Sequence, residues 1–297
     1  MSELPEDPSG ITVHDGIVYI VGNKSNRKYF RFDAKGLPKV NGIVKLDTLD
    51  SEEVISVSHK RATDLESIDV IEGELVVLSE DSRRIIHHDR TLVDYSNLPS
   101  LKESKREGCG LEGMAIRELP DHSSQIAVIW EGGIFRDEQL QPPLLLTHRV
   151  AQSFHGTKTV LHASVWEDRL VPIKIDDALP HTQFRCPDIA WCWSTSTDEW
   201  ALILLLSHRH EDHEKYLQVY NLSGKPISPP VRLDASGMPE ERLDQNWEGL
   251  CWHTDENGDH LLLVNDTNKR SKMLVCRVSA PNECRRQPPS HETNSLD

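Results

Sequence analysis

One pattern recurs along this chain and narrows what it can fold into. Its clearest copy is NWEGLCWHTDENGDHLLLVNDTN, from Asn246 to Asn268. Glu248-Gly249 opens a short apolar run, Leu250-Cys251-Trp252. Asp255 to Asp259 supplies turn chemistry, with Asn257-Gly258 a strong hairpin signal. Leu261 to Val264 is a second apolar run, and it ends on Asn265 and Asp266. The unit reads as a hairpin that carries carboxylate or amide groups at two neighbouring strand ends.

Four other stretches follow the same plan. DLESI opens a copy at Glu66, turns at Glu72-Gly73 and ends on Glu80-Asp81. GLEGM opens one at Glu112 and ends on Glu131-Gly132-Gly133. PDIAW opens one at Asp188 and ends on Ser207-His208. A degenerate first copy opens at Ser9, turns at Asp15-Gly16 and ends on Gly22-Asn23. The opening residues are 57, 46, 76 and 60 positions apart. Repeats of this period and strand content indicate an all-β fold, a β-propeller with five or six blades. Residues 137–181 lack the opening motif, so they are either outer strands with an insertion or a sixth blade. The expected organisation is a single propeller domain over 1–279 and a disordered tail over 280–297, where Pro, Ser, Glu and Asn displace apolar residues.

Charge excludes some partners. The formal net charge is −15 with no basic stripe, which argues against nucleic acid and anionic membrane surfaces. No apolar run approaches the ~20 residues of a membrane span, and the opening MSELPEDPSG is unlike a secretory leader. The six cysteines show no CxxC spacing. Read as reduced thiols, with Cys192 and Cys251 as small core hydrophobes, they fit a cytoplasmic protein.

In a propeller the inner strands converge on one axis, so equivalent opening positions can face a common channel. Glu66, Glu112, Asp188 and Glu248 would then form a ring of acids. Four carboxylates at close range do not all stay ionised without a counter-cation or raised pKa values. A hard cation such as Ca²⁺ takes oxygen ligands, and Asn265, Asp266 and Asn23 could complete the shell. The alternative is that each glutamate caps its own blade by accepting backbone N–H bonds at a tight Glu-Gly turn.

A second motif competes. His208-Arg209-His210-Glu211-Asp212-His213 matches the HxHxDH zinc signature of metallo-β-lactamase-like hydrolases and follows an apolar strand. It lacks a following glycine-rich helix start and lies late in the chain. In the propeller reading it is a charged, exposed hairpin. His87-His88 ends another exposed strand and reads as solvated. Trp191, Trp193, Trp247 and Trp252 flank the opening motifs and read as packing between blades.

The NWEGLCW…LLLVNDTN copy, with DLESIDV…LVVLSED and GLEGMAI…IAVIWEG, resembles the phytase-like domain family known for "esterase-like activity of phytase". The resemblance implies a β-propeller, in a family whose members are usually exported. Together with the acid ring it points to a metal-dependent hydrolase of phosphate or carboxylic esters. A divalent cation, Ca²⁺ by its ligands, would be held by Glu66, Glu112, Asp188, Glu248, Asp266 and Asn265. Glu131 or Glu80 would act as general base. The partner is then a small-molecule ester. The alternative is a non-catalytic propeller that binds a protein partner through its loops.

Overall fold

The computed structural model describes residues 7–22, 28–37, 43–45, 52–55, 63–88, 90–98, 110–136, 139–150, 161–162, 170–180, 183–208, 214–233, 246–256, 258–266, 274–279 and 284–288. They form an all-β propeller. Among them the one helical turn is a 3-10 turn at Ala34–Gly36.

Five sheets of four or five strands are the blades. Their inner strands are Pro8–His14, Leu65–Ile71, Leu111–Glu118, Phe184–Ser194 and Asn246–Asp255, numbered here as blades 1 to 5. Each packs against the next, and blade 5 packs back on blade 1, so the ring is closed. The motif-bearing strands are thus the inner strands around one axis, as the repeat predicts. No sixth blade is present among the described residues. The unassigned stretch instead lends Leu144–Val150 and Val171–Pro172 to blade 3, and Leu161–His162 to blade 2.

Closure uses a distant strand. Ile43–Lys45 pairs with Leu274–Ser279 and becomes the outer strand of blade 5, whereas Glu52–Ile55 returns to blade 1. A β-sheet edge left unpaired invites non-native pairing, and this exchange ties the two ends of the ring together. The far end of the chain also contributes. Cys284–Arg285, expected in a disordered tail, adds a short strand to the inner strand of blade 4.

The core lies between blades, one cluster for each of the five interfaces. Leu78, Ile85 and Val93 of blade 2 meet Met114, Val128 and Leu146 of blade 3. Trp247, Leu250 and Leu263 of blade 5 meet Ala190, Ile203 and Leu217 of blade 4. Inner and second strands are covered on both faces, so Ala201 to Leu206 is an unbroken buried run. Trp191 and Trp252 are buried as packing residues, and each donates its indole N–H to a neighbouring blade: Trp191 to the Ala115 carbonyl at 3.0 Å, Trp252 to the Trp191 carbonyl at 2.6 Å. The hairpin at Glu72-Gly73 has φ of 52° and 80°. Both values are positive, as a two-residue primed turn demands.

The zinc-signature segment takes a different place from the one expected. His208 is buried rather than on an exposed hairpin, with its ring edge-on to Phe184 at 5.6 Å. His210 and His213 lie outside the described residues, as does Asn23. The described residues contain no α-helix, so the layered α/β frame of a metallo-β-lactamase-like hydrolase is absent from them.

Candidate active site at the inner-strand bulges

Register slips once in every inner strand, at its first turn of sequence. The slip leaves Ser9, Glu66, Glu112 and Glu248 as the extra residues of blades 1, 2, 3 and 5. A β-bulge takes one residue out of the ladder and re-aims its side chain. Three glutamates are thereby turned toward a common point at one end of the axis. In blade 1 the residue is a serine, whose hydroxyl donates to the Leu65 carbonyl at 2.5 Å.

Blade 4 departs from the pattern, and Asp188 with it. Its slip covers Cys186 and Pro187, so Asp188 is the first residue back in register. The other blades have Gly10, Ser67, Gly113 and Gly249 there. Asp188 is therefore not part of the acid ring. Its buried carboxylate accepts the Ile189 N–H at 2.9 Å and the Leu250 N–H at 2.6 Å, which staples blade 4 to blade 5. Asp69 does the same between blades 2 and 3, accepting Val70 N–H at 2.8 Å and Ile116 N–H at 2.6 Å. The capping reading thus describes Asp188 and Asp69, and the ring reading describes the bulge glutamates.

Blade 4 contributes a cation to the ring instead. Arg185 stands immediately before the slip, and its guanidinium donates to Glu131 at 3.1 Å, to Glu248 at 3.3 Å and to Asn246. Asn246 in turn donates its amide to Glu248. Burial opposes the Arg185 charge, but Glu131 and Glu248 override it and hold its pKa above the ordinary guanidinium value.

The second strands deliver the remaining acids. Glu80 follows Glu74–Ser79 and Glu131 follows Ser124–Trp130, each tied by its N–H to the residue that precedes the neighbouring inner strand. Carboxylate oxygens of Asp64, Glu66 and Glu80 lie within 4.8 Å of one another. Asn265 is fully buried and pairs with Trp247 in the ladder; Asp266 pairs with Asn246, and its side chain lies outside the described residues. Around this point the described residues place six carboxyl groups: Asp64, Glu66, Glu80, Glu112, Glu131 and Glu248. Arg185 is the guanidinium hydrogen-bonded to them, and buried Arg83 is attracted to Glu80.

Crowding and burial hold protons on this cluster. Burial, then the neighbouring Glu66 carboxylate, pushes the Glu112 carboxyl well above the usual range. Burial followed by Glu248 does the same to Glu66, whose carboxylate accepts a hydrogen bond from Glu112. Glu80 is pushed up to about 8 by burial and by the proton it donates to Asp64. Glu248 is raised by burial, and Arg185 resists the rise. Glu80 therefore keeps a proton at neutral pH, the property general acid–base chemistry requires.

Of the residues singled out in the sequence, the structure brings Glu66, Glu80, Glu112, Glu131 and Glu248 together. Sequence reasoning missed Arg185, Asn246 and the place of Asp64. A cavity of about 450 Å³ lies further along the inner strands, walled by Asp69, Arg117, Trp191, Trp252 and Arg286. It is separate from the carboxylate cluster.

No family model matches the sequence, and no curated protein matches it. Solved structures do. An endo-arabinase from Bacteroides thetaiotaomicron shares 10% identity over 95% of this chain and 96% of its own, with a TM-score of 0.57. A glycosyl hydrolase from Bacteroides ovatus shares 11% identity over 95% of this chain and 87% of its own, with a TM-score of 0.49. A thermostable family-43 glycoside hydrolase shares 10% identity over 96% and 93%, with a TM-score of 0.48. At such identities the likeness establishes the β-propeller fold. The phytase-like resemblance has no family model behind it.

Proposed function

We propose that this protein is a hydrolase whose active site is the carboxylate cluster at the inner-strand bulges. The observation that carries this is the gathering of the Glu66, Glu80 and Glu112 carboxyls, raised by burial and by one another, beside the Arg185-held pair Glu131 and Glu248. Glu112 supplies a proton to a leaving oxygen. Glu131 presents a carboxylate fixed by a guanidinium, the better placed of the two proposed bases, because Glu80 keeps its own proton to about pH 8. Arg185 and Asn246 fix the orientation of Glu248.

The donor set also fits a hard divalent cation. Asp64, Glu66 and Glu80 offer oxygen atoms within 4.8 Å of one another, and the residues repel each other when ionised. Those three would hold Ca²⁺, which when bound would supply Lewis-acid polarisation of a substrate oxygen and a more acidic water. Asn265, Asp266, Glu112 and Glu248 remain candidate further ligands.

For the substrate, the family resemblance supports phosphate or carboxylic esters. A second reading, glycoside hydrolysis, uses a protonated carboxyl and a carboxylate about 5–9.5 Å apart; the raised Glu112 and the Arg185-bound Glu248, on another blade, are the groups to supply them. Glycoside hydrolysis is also the kind of activity named for the endo-arabinase of similar fold. The free, buried thiols of Cys186, Cys192, Cys251 and Cys284 support a reducing, cytoplasmic setting. No helix among the described residues is long and apolar enough to cross a membrane.

The test is a panel of chromogenic carboxylic esters, phosphate esters and aryl glycosides, run with Ca²⁺ and with chelator. Turnover of one class that Glu112→Gln abolishes without lowering the melting temperature supports the proposal and names the substrate. No turnover of any class under either condition would replace it by the non-catalytic, protein-binding scaffold.

A further inference from the structure

Away from the axis, blade 2 builds a mixed imidazole–carboxylate cluster. Glu74 begins the second strand, directly after the Glu72-Gly73 turn, and His87 ends the third. Successive residues of a strand point to opposite faces, so His87 and His88 should diverge. They do not. His88 has a φ of 50°, the left-handed region, and its ring lies 4.3 Å from that of His87. His88 opens the two-residue turn between His87 and Arg90, and a primed turn demands that positive φ.

The result is a three-ligand set. The Glu74 Oε2 atom lies 3.6 Å from His87 Nε2 and 3.5 Å from His88 Nε2. All the ligand atoms fall within 4.8 Å of one another. Those separations are long for hydrogen bonds. They are close to the edge of a zinc coordination tetrahedron, roughly 3.3–3.4 Å for bonds of 2.0–2.1 Å. We propose that Glu74, His87 and His88 form a transition-metal site, with Zn²⁺ the matching ion.

A further observation agrees. A cavity of about 150 Å³ adjoins Glu74 and His88, with His14, Tyr19, Tyr29 and Arg31 as further walls. It has room for a water in the fourth position, the arrangement of three protein ligands plus water found in catalytic zinc sites. This site differs from the axial cluster in chemistry. Two imidazoles and one carboxylate select a borderline metal, whereas the axial acids select a hard one.

The experiment uses the full, untagged chain, stripped of metal and titrated with Zn²⁺ in excess Ca²⁺. Co²⁺ replaces Zn²⁺ in a parallel titration followed by visible absorption. The expected result is one equivalent of Zn²⁺ that the doubly substituted His87→Ala, His88→Ala chain no longer binds. It comes with the intense absorption of four-coordinate Co²⁺. Glu74 is on the surface, so Glu74→Gln is the variant to use should the double variant fail to fold. It should weaken Zn²⁺ by about tenfold or more, since even outer-sphere changes cost that much. As a control, His122→Ala, which removes the partner of exposed Glu118, should leave the titration unchanged. An equivalent of zinc retained by both the double variant and Glu74→Gln would overturn the proposal. So would a wild-type chain that binds no Zn²⁺ at micromolar concentration.

Discussion

Replacing Arg185 by Met probes the electrostatics of the axial cluster. The guanidinium donates to Glu131 at 3.1 Å and Glu248 at 3.3 Å, and those side chains are 3% and 13% exposed. Methionine fills much of the arginine's volume but removes the guanidinium hydrogen-bonded to both acids. Breaking a buried ion pair by removing one partner costs about 3–5 kcal/mol, because the remaining charge is stranded. For a chain of 297 residues that is a fall in melting temperature of about 5–8 °C. The cost must depend on pH. Without Arg185, which resists the rise that burial imposes on Glu248, the folded-state pKa of that carboxyl climbs further above that of the unfolded chain. A carboxyl raised in this way is fully accommodated below its unfolded pKa of about 4.3 and loses that advantage as pH rises through its folded value. The deficit of Arg185→Met should therefore be small near pH 5 and full near pH 8. Urea unfolding of both chains at the two pH values, in chelator, measures it. A deficit below about 1 kcal/mol, the worth of one neutral hydrogen bond, or one equal at both pH values, would refute the reasoning.

Two further outcomes follow from the same geometry. Asp188→Ala should destabilise by roughly 1–3 kcal/mol for each of the two N–H groups it orphans, at Ile189 and Leu250. It should leave turnover per folded molecule intact, because Asp188 is a staple between blades; lost turnover at full folding, read by activity alongside circular dichroism, would return it to the site. Glu80 is raised to about 8, so its contribution is present at low pH and is lost as pH climbs from about 4.3 through 8. In chelator the wild-type melting temperature should fall between pH 6 and pH 9, and Glu80→Gln should flatten that slope; an unaltered slope would contradict the assignment.

The repeat made the fold legible, because a blade's inner hairpin is local: its two apolar runs, its turn and its polar ends lie within some twenty residues. What closes the ring is not local. Nothing in Ile43–Lys45 indicates that it will pair with Leu274–Ser279, and nothing in Cys284–Arg285 that it will join blade 4. The site was legible to the same extent. Glu66, Glu112 and Glu248 stand out because each copy repeats an acid before a small residue or glycine. Asp188 imitates the motif, yet the slip at Cys186-Pro187 displaces it by one register step and converts a candidate ligand into a backbone acceptor. Arg185 lies just before the repeat begins, and its role exists only once two other blades bring their acids to it. His88 was read as solvated, because the pair ends an exposed strand; its left-handed backbone is a property of the folded turn.

The most direct test of the hydrolytic cation site is a melting curve of wild type and Glu66→Gln, with Ca²⁺ and with chelator. A ligand that binds only the folded chain stabilises it by mass action, about 2.7 kcal/mol at one hundred times its dissociation constant, or about 4 °C here. The account predicts that Ca²⁺ raises the wild-type melting temperature by that order and that Glu66→Gln loses most of the rise. Wild type melting at one temperature in Ca²⁺ and in chelator would contradict it.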